Sequence, residues 1–223
     1  FNYLIPLALA YYKTEDKKYL LKWQSLIGDW IEKNPVYYGP NWILAMEAAI
    51  RATNWVFSYE IIKKKLTSLY SQNEDKESTL HKLTPNFLNS FYTSLLEHGI
   101  FIFNNLEYAP VKSNHYLSDI VGLVYLGLVF QKTKQGQKWL NFAVKAIKQE
   151  IKDQVYQDGV DYELAITYHR YVTELFLWSS WLLKLNVVDL GTEFWQKLKQ
   201  MVNFTLSYTK SNDLAPQIGD SED

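Results

Sequence analysis

Apolar residues that recur every three and four positions constrain this chain more than any other feature. Tyr19, Leu20, Trp23, Leu26, Ile27, Trp30 and Ile31 follow that spacing, which lays them along one face of a helix. No run alternates apolar and polar side chains as a half-buried strand would. The same spacing predicts helices at about 41–57, 58–72, 85–104, 115–131, 135–156, 164–185 and 192–209, with a short one before Tyr12. Their breaks have local causes. Asn34-Pro35 and Gly39-Pro40 stop one helix, Thr84-Pro85 supplies a cap and a first-turn proline, Asp158-Gly159 makes a turn, and QNEDKES at 73–79 reads as a polar surface loop. The fold class is therefore all-α. Short connections favour antiparallel helical hairpins, which close as a bundle or curve into an α/α toroid, and the period leaves both open.

Composition narrows the partners. With 223 residues, 48% of them hydrophobic, the chain has the material for one large domain or two small ones, and it is read as one domain spanning 1–223. A net charge of -1 gives no global pull toward nucleic acid or an anionic membrane, so an anionic ligand has to be recognised locally. The absence of cysteine excludes disulfides and thiolate metal sites, and no run of about twenty apolar residues offers a membrane span. His81, His98, His115 and His169 lack the spacing of a metal site, and phosphate-loop, dinucleotide and GxSxG patterns are missing, so no cofactor is expected. A start at Phe1 and a polar stop at GDSED read as the ends of a fragment of a longer protein, with any signal peptide outside it.

Three constellations carry candidate chemistry. In NWILAMEAAIRATNW, helical geometry places Glu47, Arg51 and Asn54 in one stripe flanked by Trp42 and Trp55. Two readings are open: a groove lined by indoles, or an exposed Glu–Arg pair with the tryptophans in the core. In SNHYLSD, Ser113 caps a helix whose first turn carries Asn114 and His115, where backbone N–H groups favour an anion, and Asp119 is spaced to orient the imidazole. The bland alternative is a capping Asn114 and a surface His115. Around Tyr168-His169-Arg170 there is a conflict. A helix running from Glu163 would put Glu163, Thr167, Arg170 and Glu174 on one stripe and Tyr168 away from it. Either the helix starts nearer Tyr168, or Tyr168 faces a site while Glu163 and Arg170 pair behind it.

Taken in order, NW-AMEAAIRA-NW at 41–55, FIFNNLE at 101–107, NHYL at 114–117, DGVDYE with YHRYVTELF at 158–176 and PQIGDSED at 216–223 resemble the heparinase II/III-like polysaccharide lyases. The resemblance implies the N-terminal incomplete α/α toroid of that family, with the family's C-terminal β domain absent from this chain. It further implies β-elimination on uronate glycans, heparan sulfate-like or alginate-like, in a periplasmic or secreted bacterial protein. Its partners would be an anionic polysaccharide or oligosaccharide and the missing β domain.

Carried over by position, the resemblance implies Asn114 on the substrate carboxylate, Tyr168 as acid to the glycosidic oxygen, and His115 beside the reaction centre. Trp42, Glu47, Arg51, Asn54, His169 and Arg170 would contact substrate. The chemistry needs such groups, because removing a proton next to a carboxylate piles charge on an existing anion and calls for a fixed donor. Tyrosine, with a free pKa of about 10, needs neighbouring cations before it serves as a base. Ser118 departs from the acidic residue of some heparinase II-like members, and the fragment alone is expected to be inactive or badly impaired. An α/α-toroid glycoside hydrolase using Asp161 and Glu163, and a non-catalytic glycan-binding or capsule-assembly module, are the alternatives.

Overall fold

The computed structural model describes residues 2–72, 83–110 and 113–220, so the expected loop at 73–79 and His81 lie outside the described residues. Among them the regular structure is helical, as the spacing predicts, with one isolated bridge between Val155 and Asp161. No described helix is long and apolar enough to cross a membrane. The chain divides into two compact units, Phe1–Asn105 and Leu106–Asp223.

In the first unit, α1 (Leu4–Thr14) and α2 (Lys17–Lys33) are joined at Glu15, whose left-handed backbone ends α1, and Asp16, whose side chain accepts from the Lys18 N–H to start α2. A 3-10 turn at Pro40–Trp42 leads into α3 (Ala45–Gln72), and α4 (Pro85–Asn104) begins on the Thr84 cap. The two helices expected at 41–57 and 58–72 are one, since FSYEII at the supposed junction holds no glycine or proline to break the hydrogen-bond ladder. Aromatic rings fill this core. Trp23 is fully buried, packs on Tyr59, Phe87 and Phe91, and donates its indole N–H to Ser58 Oγ at 2.9 Å.

The second unit comprises α5 (Asn114–Val129), α6 (Lys134–Asp153), α7 (Ile166–Leu185) and α8 (Thr192–Tyr208). Every residue of α5 from Tyr116 to Gly127 is buried, so this helix is the axis on which α6 and α7 pack. Gly127 permits the closest approach: a Cβ there would lie 2.9 Å from both the Cβ and the backbone N of Leu140. Between α6 and α7, Gly159 takes the positive φ of the expected Asp158-Gly159 turn.

Candidate active site

Asn114, the first residue of α5, is held by Glu163. Its backbone N–H donates to Glu163 Oε1 at 2.9 Å, and its Nδ2 lies 3.0 Å from both carboxylate oxygens. Ser113 caps the same end by accepting from the His115 N–H. The anion seat expected at this helix start is thus taken by the chain's own Glu163. Helix α7 begins only at Ile166, after a left-handed Leu164. Glu163 therefore sits on the connecting turn, free of the helical stripe, and the conflict over Tyr168 resolves in favour of the later helix start.

Beneath this contact lies a buried polar layer. Asp161 is wholly buried; its Oδ2 accepts from the Glu163 N–H at 3.3 Å, and Oδ1 has no hydrogen-bond partner among the described residues. Burial, then the nearby Glu163 charge, pushes its carboxyl up to about 7. Gln154, also buried, donates to Glu150 Oε2 at 2.8 Å and to the Ser113 carbonyl at 3.4 Å. Asp161 and Glu163 do not form the carboxylate pair of a glycosidase, because one is sealed in the core and the other is committed to Asn114.

His115 lies one residue on, with its side chain 44% exposed and Nδ1 2.7 Å from Glu107 Oε2. A carboxylate only accepts, so Nδ1 carries a proton, and in the neutral ring the lone pair is on Nε2. Asp119, expected to orient this ring, does not reach it. It is fully buried, and its Oδ2 accepts from the Glu107 backbone N–H at 2.7 Å. It supports the loop that carries the true partner, and burial pushes its carboxyl up to about 8.

Tyr168 belongs to the first turn of α7 and donates to Asp220 Oδ2 at 3.0 Å. The segment bearing Asp220 docks through the Ile166 N–H, which donates to the Ile218 carbonyl at 3.0 Å. Ser118 Oγ, one turn into α5, meets Tyr171 Oη at 2.8 Å. Together with the Asn114–Glu163 bonds, this means α5 and α7 run side by side from a common end. Asn114 and Tyr168 are brought to that end, where a ligand bridging them would sit at two helix starts.

His169 is corrected as a substrate contact. It is buried; Nδ1 accepts from the Asp161 N–H at 3.2 Å, and Nε2 faces the Met201 carbonyl and Thr205 Oγ1 at 3.2 and 3.1 Å. It ties the Glu163 turn to α8, and burial lowers its pKa. Arg170 is exposed and lines a groove of about 480 Å³ between α7 and α8 with Thr167, Glu174, Val202 and Thr205.

The first unit holds the other four candidates. Arg51 is buried, with its guanidinium carbon 4.2 Å from the Trp30 ring centre and 4.9 Å from that of Trp42. Its Nε donates to His98 Nε2 at 2.8 Å and Nη2 to the Asn41 carbonyl at 3.2 Å. Burial, and next the Arg51 charge, lowers His98 to about 3, and burial lowers Arg51 to about 10. Trp42 is likewise buried and donates to the Asn34 carbonyl. The tryptophans lie in the core, as one reading of the stripe has it, but neither the groove nor an exposed Glu–Arg pair is found: Arg51 and Trp42 form an internal cation–π anchor, because the guanidinium finds two indole faces and an imidazole acceptor in one place. Asn54 bonds back to the Ile50 carbonyl, and Glu47 is exposed in the first turn of α3. Sequence reasoning missed Glu107 and Asp220 although both lie inside quoted motifs, and it missed His98, for which spacing offers no signal.

The family model described as Heparinase II/III N-terminus matches residues 1–223. The chain is 26% identical over 195 residues to the heparin-sulfate lyase of Bacteroides stercoris, covering 85% of this chain and 28% of that protein. It is 27% identical over 219 residues to the heparin-sulfate lyase of Pedobacter heparinus, covering 96% and 31%. Among solved structures, a heparinase III superposes with TM-score 0.72 at 23% identity, covering 94% of this chain and 30% of that one. A heparan sulfate lyase from Pedobacter heparinus gives 0.66 at 24%, covering 94% and 31%. At these identities the solved structures establish the fold. The chain spans under a third of the length of the curated relatives it matches.

Proposed function

We propose, from the premise that this chain belongs to the heparinase II/III family as an N-terminal domain, that it is a helical part of a polysaccharide lyase cleaving heparan sulfate by β-elimination. The relatives named as heparin-sulfate lyases favour that polymer over alginate. The observation that carries the reading is the common end of α5 and α7, where Asn114 and Tyr168 stand at neighbouring helix starts linked by the Asn114–Glu163 and Ser118–Tyr171 bonds.

In this reading Asn114 donates to the uronate carboxylate as charge builds on it. The C5–H bond breaks and its proton passes to a base, for which His115 is suited by the Nε2 lone pair that Glu107 leaves free. The C5–H electrons form the C4–C5 double bond, the C4–O bond breaks, and Tyr168 gives its proton to the departing glycosidic oxygen. Arg170, Glu47 and Asn54 remain candidates for contact with the glycan; His169, Trp42 and Arg51 act from inside the fold. No cofactor enters any step. The family's β domain is the proposed partner that completes the cleft, the helical part alone being inactive or badly impaired, and the bacterial periplasm or exterior is the proposed location.

Incubating the full-length protein with heparan sulfate, alginate and hyaluronan tests the reading. Ultraviolet absorbance of an unsaturated uronate is expected to rise with heparan sulfate. New reducing ends without that absorbance, or binding without product, would sink it in favour of a hydrolase or a binding module.

A further inference from the structure

Glu163 does more than occupy a helix start. Its carboxylate accepts but never donates, so the side chain of Asn114 must present its NH2 group there and turn Oδ1 away. The two oxygens of one carboxylate subtend a narrow angle at Nδ2, whereas the two amide hydrogens diverge widely. One hydrogen is therefore shared between both oxygens, and the other points clear of Glu163. The turn that carries Glu163 is itself fixed. Its backbone N–H is held by Asp161, the Asp161 N–H is held by buried His169, and His169 is anchored on α8. Leu164, at φ 56, gives the chain its change of direction immediately afterwards.

We propose that Glu163 is a positioning residue: it fixes the amide plane of Asn114 so that the second amide hydrogen is aimed at the carboxylate of the bound glycan. This deepens the reading of Asn114 given above and rests on it. Without Glu163 the amide is free to rotate and to offer Oδ1, which repels an anionic carboxylate instead of binding it. Glutamine at 163 keeps one acceptor oxygen for the same two N–H groups but puts an NH2 where the second oxygen stood, 3.0 Å from Asn114 Nδ2, so it preserves the aim only in part.

The test is steady-state kinetics of E163A and E163Q in the full-length protein on heparan sulfate, followed by absorbance of the unsaturated product. E163A is expected to lose about 100-fold in kcat, as for a misplaced catalytic group, with KM changed by less than about threefold. E163Q, which keeps one of the two acceptor oxygens, should recover part of the loss. In an N114A background, E163A should cost nothing further, because the residue it positions is gone. Wild-type kcat in E163A, or the same fold-loss in the N114A background, overturns the proposal. A crystal structure of E163A provides a readout independent of turnover: the Asn114 amide should be rotated or split between orientations, and an amide unmoved from its wild-type plane refutes the proposal. A wild type that forms no unsaturated product overturns the β-elimination reading instead, and leaves the aim of Asn114 to be decided by that crystal structure.

Discussion

Asp119 is where protonation and folding meet most directly beside His115. An aspartate ionises near 3.8 in an unfolded chain, whereas burial holds this one up to about 8 in the folded protein. Between those values the folded state keeps a proton that the unfolded state has released. The resulting stabilisation is fully present below the unfolded pKa and is lost as pH rises through the folded one. His98 works in the opposite sense: its depressed pKa stabilises the fold above the ordinary 6.5 and loses effect as pH falls toward about 3. Comparing D119N with wild type cancels the His98 contribution. D119N is expected to flatten the decline of the thermal midpoint between about pH 4 and pH 8; an unchanged slope would contradict the assignment. The two residues that matter here were unequally legible. Asn114 stands in a short motif at a helix start, but Glu163 reaches it from 49 positions away through a turn, where helical spacing has nothing to say.

The entry to α7 shows what an element-level reading misses. Periodicity marks the helix well, yet its first turn depends on a docked segment far along the chain. Gly219, at φ 78, lets that segment touch the turn; a Cβ would lie 2.8 Å from Ala165 Cα and 2.9 Å from the Leu164 carbonyl oxygen. G219A is expected to lift the segment away, so that the Ile166 amide, which donates to the Ile218 carbonyl, exchanges with solvent at least about tenfold faster. Unaltered exchange would show the docking to be dispensable. At the other end of α7, Val187 is 94% exposed and holds φ 61, a conformation costly for a β-branched residue. V187G should therefore stabilise the protein by about 1 kcal/mol, read as a higher thermal midpoint. A drop would mean that the side chain has a partner. Sequence placed most helix ends within a few residues because caps and prolines are local signals. It split α3 in two although FSYEII at the supposed junction holds no residue that breaks a helix.

For the whole molecule, the all-α class was legible from period alone, and the ordered motifs pointed to the family that the match over residues 1–223 shows. The roles of Arg51 and His169 were not legible, because a polar residue beside aromatics reads the same whether it faces a ligand or its own core. Both prove to be internal. The proposal places the substrate at the shared end of α5 and α7, with Tyr168 protonating the leaving oxygen. The direct measurement compares wild type with Y168F in the full-length protein, recording both heparan sulfate binding and the absorbance of unsaturated product. Wild type is expected to bind and turn over, while Y168F binds with similar affinity and loses turnover by at least about 100-fold. Product formation by Y168F at the wild-type rate would contradict it.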